Sequence, residues 1–412
     1  MKLKQRSTIS LNMFLTILLV GIMLNPYLSI NYNGYILIAI FALWASSCFL
    51  FCKWSTIVSN PLFLWPSLFL LYQFFMLIIG LSTISIENII VRMPIYYIPL
   101  YARLVIRKYK KIELIILSKL ILFIYFINIL IVVITTNSET TNNEEGLFIA
   151  TNFVLLVAAT SLIILFLLMN SANKNNLLYK FILLMNIYYL VLLNSRFIAI
   201  SILLMCIAIM FFIQYIWQKK SNKIYRIVFI LIILLIILFN LINIISLFGY
   251  IEGNDWMQEK VDDLTALLKG NKITSYGSLS QRISLYGISI ETFTSSFSNL
   301  ILGGGEKAYP VANNYYANLY GVGGHSELFD MLAEYGILGF ILVITWLIHI
   351  YKKQIYNSDK RIKNQIRTVW LFILLYGVVN NFIYGNLFCM AFLYLPIKLK
   401  LMNFEYIKDS LI

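Results

Sequence analysis

Apolar runs of membrane-spanning length recur from one end of this chain to the other, separated mostly by short polar stretches. A helix needs about 20 such residues to cross a bilayer core, and no other feature restricts the fold as strongly. About twelve runs are present, at 11–30, 35–51, 62–81, 88–106, 113–134, 147–169, 180–194, 197–216, 227–249, 331–350, 368–384 and 387–403. Only 12% of the 412 residues are charged, against about 25% in soluble domains. The expected fold class is an all-α polytopic membrane protein forming one integral domain. Its parts are amino-terminal transmembrane helices over 1–249, a large loop over 250–330 and carboxy-terminal helices over 331–412.

The loops orient the bundle. With the amino terminus in the cytoplasm, beside Lys2, Lys4 and Arg6, every second loop should be basic. Those loops hold Lys53; Arg103 to Lys111; Lys174 and Lys180; Lys219 to Arg226; Lys352 to Arg367; and Lys398 to Lys408. Together with the amino terminus they account for 24 of the 32 basic residues. The opposite loops are neutral or acidic, as in TTNSETTNNEEG from Thr135. Both termini are therefore expected in the cytoplasm. The net charge of +14 follows the positive-inside rule, and no nucleic-acid partner is inferred. MKLKQR and the apolar run after it lack a small-residue cleavage site, so they read as a first membrane helix. Cys48, Cys52, Cys206 and Cys389 lie in or beside apolar runs without metal-ligand spacing, and read as packing residues.

One outward segment, 250–330, is too long for a simple connection, and loops of that size are usually functional or disordered. It holds nine of the eighteen acids and only five basic residues. Asn254 to Gly270 carries helix signals: a capping Asn, early acids, apolar residues at Met257, Val261, Leu264 and Leu268, and a closing Gly. Ser278 to Phe293 reads as a second short helix. The segment is expected to roof a site at the outer membrane surface.

At the end of that loop stands GVGGHSELFDMLAEYGILGF, from Gly321 to Phe340. Ser326 is placed to cap a helix beginning at Glu327, and Glu327 and Asp330 suit its positive end. The chain has two histidines. Two readings of His325 stand. It is a wet interfacial residue at a helix start, or it is a base beneath the loop, with Gly321, Gly323 and Gly324 letting the backbone approach a ligand. An unperturbed imidazole has a pKa near 6.5, so much of it is basic at neutral pH. His349, at the cytoplasmic end of the same span, reads as interfacial. Arg92, Arg196 and Arg282 stand apart from the cytoplasmic set. Either they pair with acids and snorkel, or their guanidinium forks bind phosphate oxygens. GGGEKAYP, from Gly303, lacks the Walker spacing and reads as a structural turn. A metal at His325, Glu327 and Asp330 would lack a completing His or Cys, so none is expected.

HSELFDMLAEYGILG sets His325 and Ser326 nine residues ahead of Gly336, with Gly339 after it. This resembles the H-[NSQ]-x9-G-x-x-G motif of the O-antigen ligase and polymerase superfamily. Ser195 and Arg196 in NSRFIAI look like that family's arginine at the outer end of a helix. QRISLYG, with LILGGGE after it, is similar to its loop arginine and glycine turn. The resemblance is best in the carboxy-terminal half. It implies a GT-C-like, metal-independent glycosyltransferase of the bacterial plasma membrane, with no cofactor. The donor would be an undecaprenyl diphosphate-linked oligosaccharide at the outer leaflet. His325 would be the base on the acceptor hydroxyl. Arg196 and Arg282 would bind the diphosphate. Beside the resemblance, Arg92 is a further diphosphate candidate as a cation in an apolar run, and Glu327, Asp330 and Gly324 are candidates to line the glycan site or the loop. Besides the lipid bilayer, a chain-length regulator and a flippase are implied partners.

The Ile-, Asn-, Phe- and Tyr-rich, lysine-biased composition resembles the polymerase branch, which makes O-antigen or capsule. A ligase, moving the finished glycan to lipid A-core, shares the motif. A lipid-linked glycan transporter is the alternative of another class. Against it, no internal repeat is seen, and the candidate residues gather at one face instead of the bilayer midplane.

Overall fold

The computed structural model describes residues 2–25, 39, 41–43, 45, 57–80, 86–136, 144–170, 176–190, 202–211, 279–305, 326–356, 360–380, 382–383 and 385–409. Among them every regular element is helical and no strand forms. In chain order these are α1 (Lys2–Leu24), α2 (Pro61–Ile78), α3 (Ile86–Lys108), α4 (Lys111–Thr136), α5 (Glu144–Asn170) and α6 (Leu177–Tyr188). They continue with α7 (Ile202–Phe211), α8 (Leu279–Thr294), α9 (Phe297–Leu302), α10 (Glu327–Ile355) and α11 (Lys360–Val379). The last three run on without a gap: α12 (Gly385–Phe388), a π-helix (Cys389–Tyr394) and α13 (Leu395–Asp409).

Five of the described helices, α2, α4, α5, α10 and α11, are long and apolar enough to cross a membrane. The chain is an all-α polytopic membrane protein. Leu71, Ile78, Phe123 and Ile134 are largely exposed; in a bilayer such side chains face lipid tails. The spans expected at 62–81, 88–106, 113–134, 147–169, 331–350 and 368–384 fall on α2, α3, α4, α5, α10 and α11. Those at 35–51 and 227–249 lie wholly or largely outside the described residues. Arg92, Pro94 and Pro99 lower the hydropathy of α3, yet its helix runs through both prolines, as neighbouring helices permit in membranes. α11 starts at Lys360, ahead of its apolar stretch, because Ile362 and Ile366 bury one face of the basic first turns.

α10 is the axis of the carboxy-terminal half. α2, α8, α9 and α11 all pack against it. Its Trp346 stacks on Phe388 at 5.5 Å and meets Tyr96 edge-on at 5.7 Å. Lipid tails are as apolar as Leu, so helices in a bilayer gain little from hydrophobicity alone; packing and interhelical hydrogen bonds hold them. Gln354 supplies two such bonds, accepting from the Trp370 indole N–H at 2.8 Å and donating to the Ala391 carbonyl at 3.0 Å. Asn186 of α6 accepts from the Tyr125 hydroxyl at 2.8 Å and donates to Ser161 at 3.0 Å.

Candidate functional site

The first turn of α10 is fixed on three sides. Ser326 is fully buried and caps the helix: its hydroxyl oxygen accepts from the Phe329 N–H at 3.3 Å. The same hydroxyl donates to the Gly377 carbonyl of α11, also at 3.3 Å. Asp330 accepts the Ser326 N–H at 3.2 Å on one oxygen and the Ser289 hydroxyl of α8 at 2.7 Å on the other. Glu327 accepts the N–H groups of Phe382 and Ile383 at 2.9 and 3.2 Å. The capping role read for Ser326 is therefore present, and the two acids tie α10 to its neighbours. Tyr286 completes the seat of α8, donating to the Val379 carbonyl at 3.0 Å with its ring 5.6 Å from that of Phe329.

Asp330 spends both oxygens within the protein and is 5% exposed. Asp330→Ala would leave the buried Ser326 N–H without this acceptor, at about 1–3 kcal/mol for such an orphaned group, and would leave the Ser289 hydroxyl its longer bond to the Leu285 carbonyl at 3.3 Å. We expect a lowered apparent Tm in detergent, with donor KM unchanged for the protein that remains folded. A raised KM at unchanged Tm would make Asp330 a glycan contact.

Two turns into α10 the helix breaks. Gly336 has φ +60° and ψ −169°, a region open essentially to glycine alone. Gly303, at φ +85°, meets it backbone to backbone. The Gly304 and Gly305 N–H groups donate to the Ala333 and Glu334 carbonyls at 2.8 and 3.1 Å. They serve the carbonyls that a helix end otherwise leaves open. The Tyr72 hydroxyl of α2 lies 2.6 Å from the Leu302 carbonyl and 2.9 Å from the Tyr335 carbonyl, and shares its proton between them. A β-carbon at Gly339 would run first into the Tyr335 β-carbon and then into the Tyr72 ring at 2.9 Å. Both motif glycines thus have steric reasons: one breaks the helix against Gly303, the other makes room for Tyr335 and Tyr72. The three-glycine turn docks against α10, and the rest of GGGEKAYP lies outside the described residues.

Glu327, Asp330 and Glu334 fall at i, i+3 and i+7 and so share a face of α10. Glu334 is 6% exposed, and the sequence reading passed over it. Its charge acts at Asp330 and at the buried Tyr96 of α3. Arg92, half-buried one turn before Tyr96, acts at Tyr96 and at Glu327. The structure thus gathers Arg92, Glu327, Asp330 and Glu334 at one end of the bundle. The i, i+3, i+7 register was the signal that could have found Glu334. Arg282 lies on α8, at i, i+4, i+7 with Tyr286 and Ser289. Arg196, Gly324, His325 and the helix expected at 254–270 lie outside the described residues. His349 sits toward the other end of α10, donating from Nδ1 to the Thr345 carbonyl at 2.8 Å, its ring 6.0 Å from that of Trp65. Among the described residues no three His, Cys, Asp or Glu side chains gather as a metal site would require.

Residues 178–344 match the family model described as O-antigen ligase. The resemblance is to the O-antigen ligase and polymerase superfamily. The matched segment of this O-antigen ligase family runs from α6 into the middle of α10. It contains Arg196, Arg282, the Gly303 turn, His325, Gly336 and Gly339. No curated protein matches the chain significantly.

Proposed function

We propose that the chain is a polysaccharide polymerase of the bacterial plasma membrane, acting at the outer leaflet. It transfers a glycan from undecaprenyl diphosphate onto a hydroxyl of another lipid-linked repeat, extending O-antigen or capsule. The observation that carries this reading is the family match over the segment holding the His325–Ser326 motif, whose helix start is pinned by Ser326, Glu327 and Asp330.

In the proposed reaction His325 takes the proton of the acceptor hydroxyl as its oxygen attacks the anomeric carbon of the donor sugar. The bond from that carbon to the diphosphate oxygen breaks, and the diphosphate leaves with the electron pair. Charge grows on the leaving group, so cations already in place there lower the barrier. Arg196, Arg282 and Arg92 are assigned that role, and no metal or cofactor is needed. Glu327, Asp330 and Gly324 belong to the lining; Asp330 acts from beneath, through Ser289 and Ser326.

A transfer assay tests the reading. Purified full-length protein is given undecaprenyl diphosphate-linked repeat units alone, and products are separated by size. We expect a ladder of lengthening lipid-linked glycans. The matched family's description keeps the ligase in view: product formed only once lipid A-core is added would replace polymerase by ligase. Donor lipid moved across vesicles with its glycosidic linkages intact would mark a transporter.

A further inference from the structure

A second recess lies toward the far end of α10. It is a cavity of about 420 Å³, within the range of small-molecule sites. Lys353 lies 17 residues beyond the break at Gly336, about 25 Å of continuous helix at 1.5 Å per residue, and Glu327 lies on the other side of that break. The recess is therefore separate from the candidate site.

Arg103 and Arg107 of α3, Lys353 of α10 and Lys400 of α13 line it. Among the described lining residues there is no carboxylate. The Arg103 and Arg107 charges both act on Lys353. Arg103 is held in place by donating to Asn60 at 3.2 Å. The remaining wall is largely apolar, including Ile350, Phe392 and Leu399. The positive-inside rule accounts for cations in the loops at this end, but it does not converge them from three separate helices on one recess. Like charges brought together repel, and an anion among them relieves the repulsion. The cations call for a phosphate and the wall calls for hydrocarbon. A basic pocket between membrane helices at the cytoplasmic side suits an anionic lipid headgroup.

We propose that this cavity binds an anionic diacyl phospholipid. Its phosphodiester sits among Arg103, Arg107, Lys353 and Lys400, and an acyl chain lies along Ile350, Phe392 and Leu399. The site needs no glycosyl transfer and stands or falls apart from that function.

Native mass spectrometry of the delipidated full-length protein is the test, with phosphatidylglycerol and phosphatidylcholine offered at equal mole fraction. Each nearby Lys or Arg contributes roughly fivefold to anionic-lipid affinity, so retention should favour phosphatidylglycerol by about tenfold or more. The Arg107→Gln/Lys353→Gln variant spares the Arg103–Asn60 bond and should lose about 25-fold in phosphatidylglycerol affinity, and with it most of that preference. Arg107→Lys/Lys353→Arg should keep it. Equal retention of the two lipids by the wild type overturns the proposal, whatever the variants do. So does a preference that survives in a folded Arg107→Gln/Lys353→Gln protein. Displacement of phosphatidylglycerol by an equal concentration of inorganic phosphate would make it a free-phosphate site. Stronger retention of undecaprenyl phosphate would make it a carrier-lipid site; either result removes the phospholipid.

Discussion

His325→Ala should cut glycan transfer by about 10²–10⁴-fold, the usual contribution of a positioned acid–base group. Apparent Tm and retention of the lipid-linked donor should stay close to wild type. The contrast follows from the helix start next to it. Ser326 caps α10 and bonds Gly377, and Asp330 accepts the Ser326 N–H. None of these bonds uses an imidazole, so removing it leaves the first turn anchored. His349→Ala is the internal control. That ring contacts Thr345 and Trp65 toward the opposite end of α10, and its loss should leave transfer unchanged. A His325→Ala protein that lengthens glycans within about threefold of wild type, far from the expected effect of losing a base, would reduce His325 to a residue at a helix start. Loss of transfer together with a fallen Tm would instead assign it to packing.

The membrane class was legible because a bilayer imposes a length on apolar runs, and the described runs fall on helices. The Ser326 cap and the helix expected at 278–293 were legible for a related reason: caps and turn signals are local. What stayed hidden depends on partners distant in sequence. An isolated glycine in an apolar helix is compatible with an unbroken helix. Only Gly303, docking from another segment, shows that Gly336 breaks α10. Glu334 stands in the sequence as a lone acid among apolar residues. Tyr96, on which its charge acts, comes from α3, and nothing in the local sequence announces it. The basic recess was hidden likewise: Arg103, Lys353 and Lys400 each satisfied the positive-inside rule in a separate loop, and only folding places them around one cavity. Arg92 was legible as an oddity, a cation within an apolar run, though its neighbourhood with Glu327 was not.

Gly336→Ala is expected to cost at least about 3 kcal/mol, enough to remove most folded protein from a marginal membrane bundle. Two effects combine there. An alanine cannot adopt φ +60° with ψ −169° without strain. Its β-carbon would also run into the Ile301 carbonyl and the Gly303 nitrogen, which are backbone atoms with little freedom to yield. Gly303→Ala should fail comparably, because its β-carbon meets the Glu334 carbonyl and the Gly336 nitrogen. The double substitution should cost less than the sum of the two, since both disrupt a single contact. Gly287→Ala in α8 isolates backbone effects from sterics. Nothing lies within 4 Å of a β-carbon there, so it should be neutral or gain up to about 1 kcal/mol of helix propensity. Detergent thermal unfolding and yield of monodisperse protein read all four variants. The candidate site rests on the same contact. The break lets Gly304 and Gly305 close the carbonyls of Ala333 and Glu334, so the turn that begins beside His325 is held from its far end as well as from Ser326. If Gly336→Ala unfolds at the wild-type temperature, α10 tolerates a straight path there, and the dock between the two glycine segments is not what fixes the candidate site.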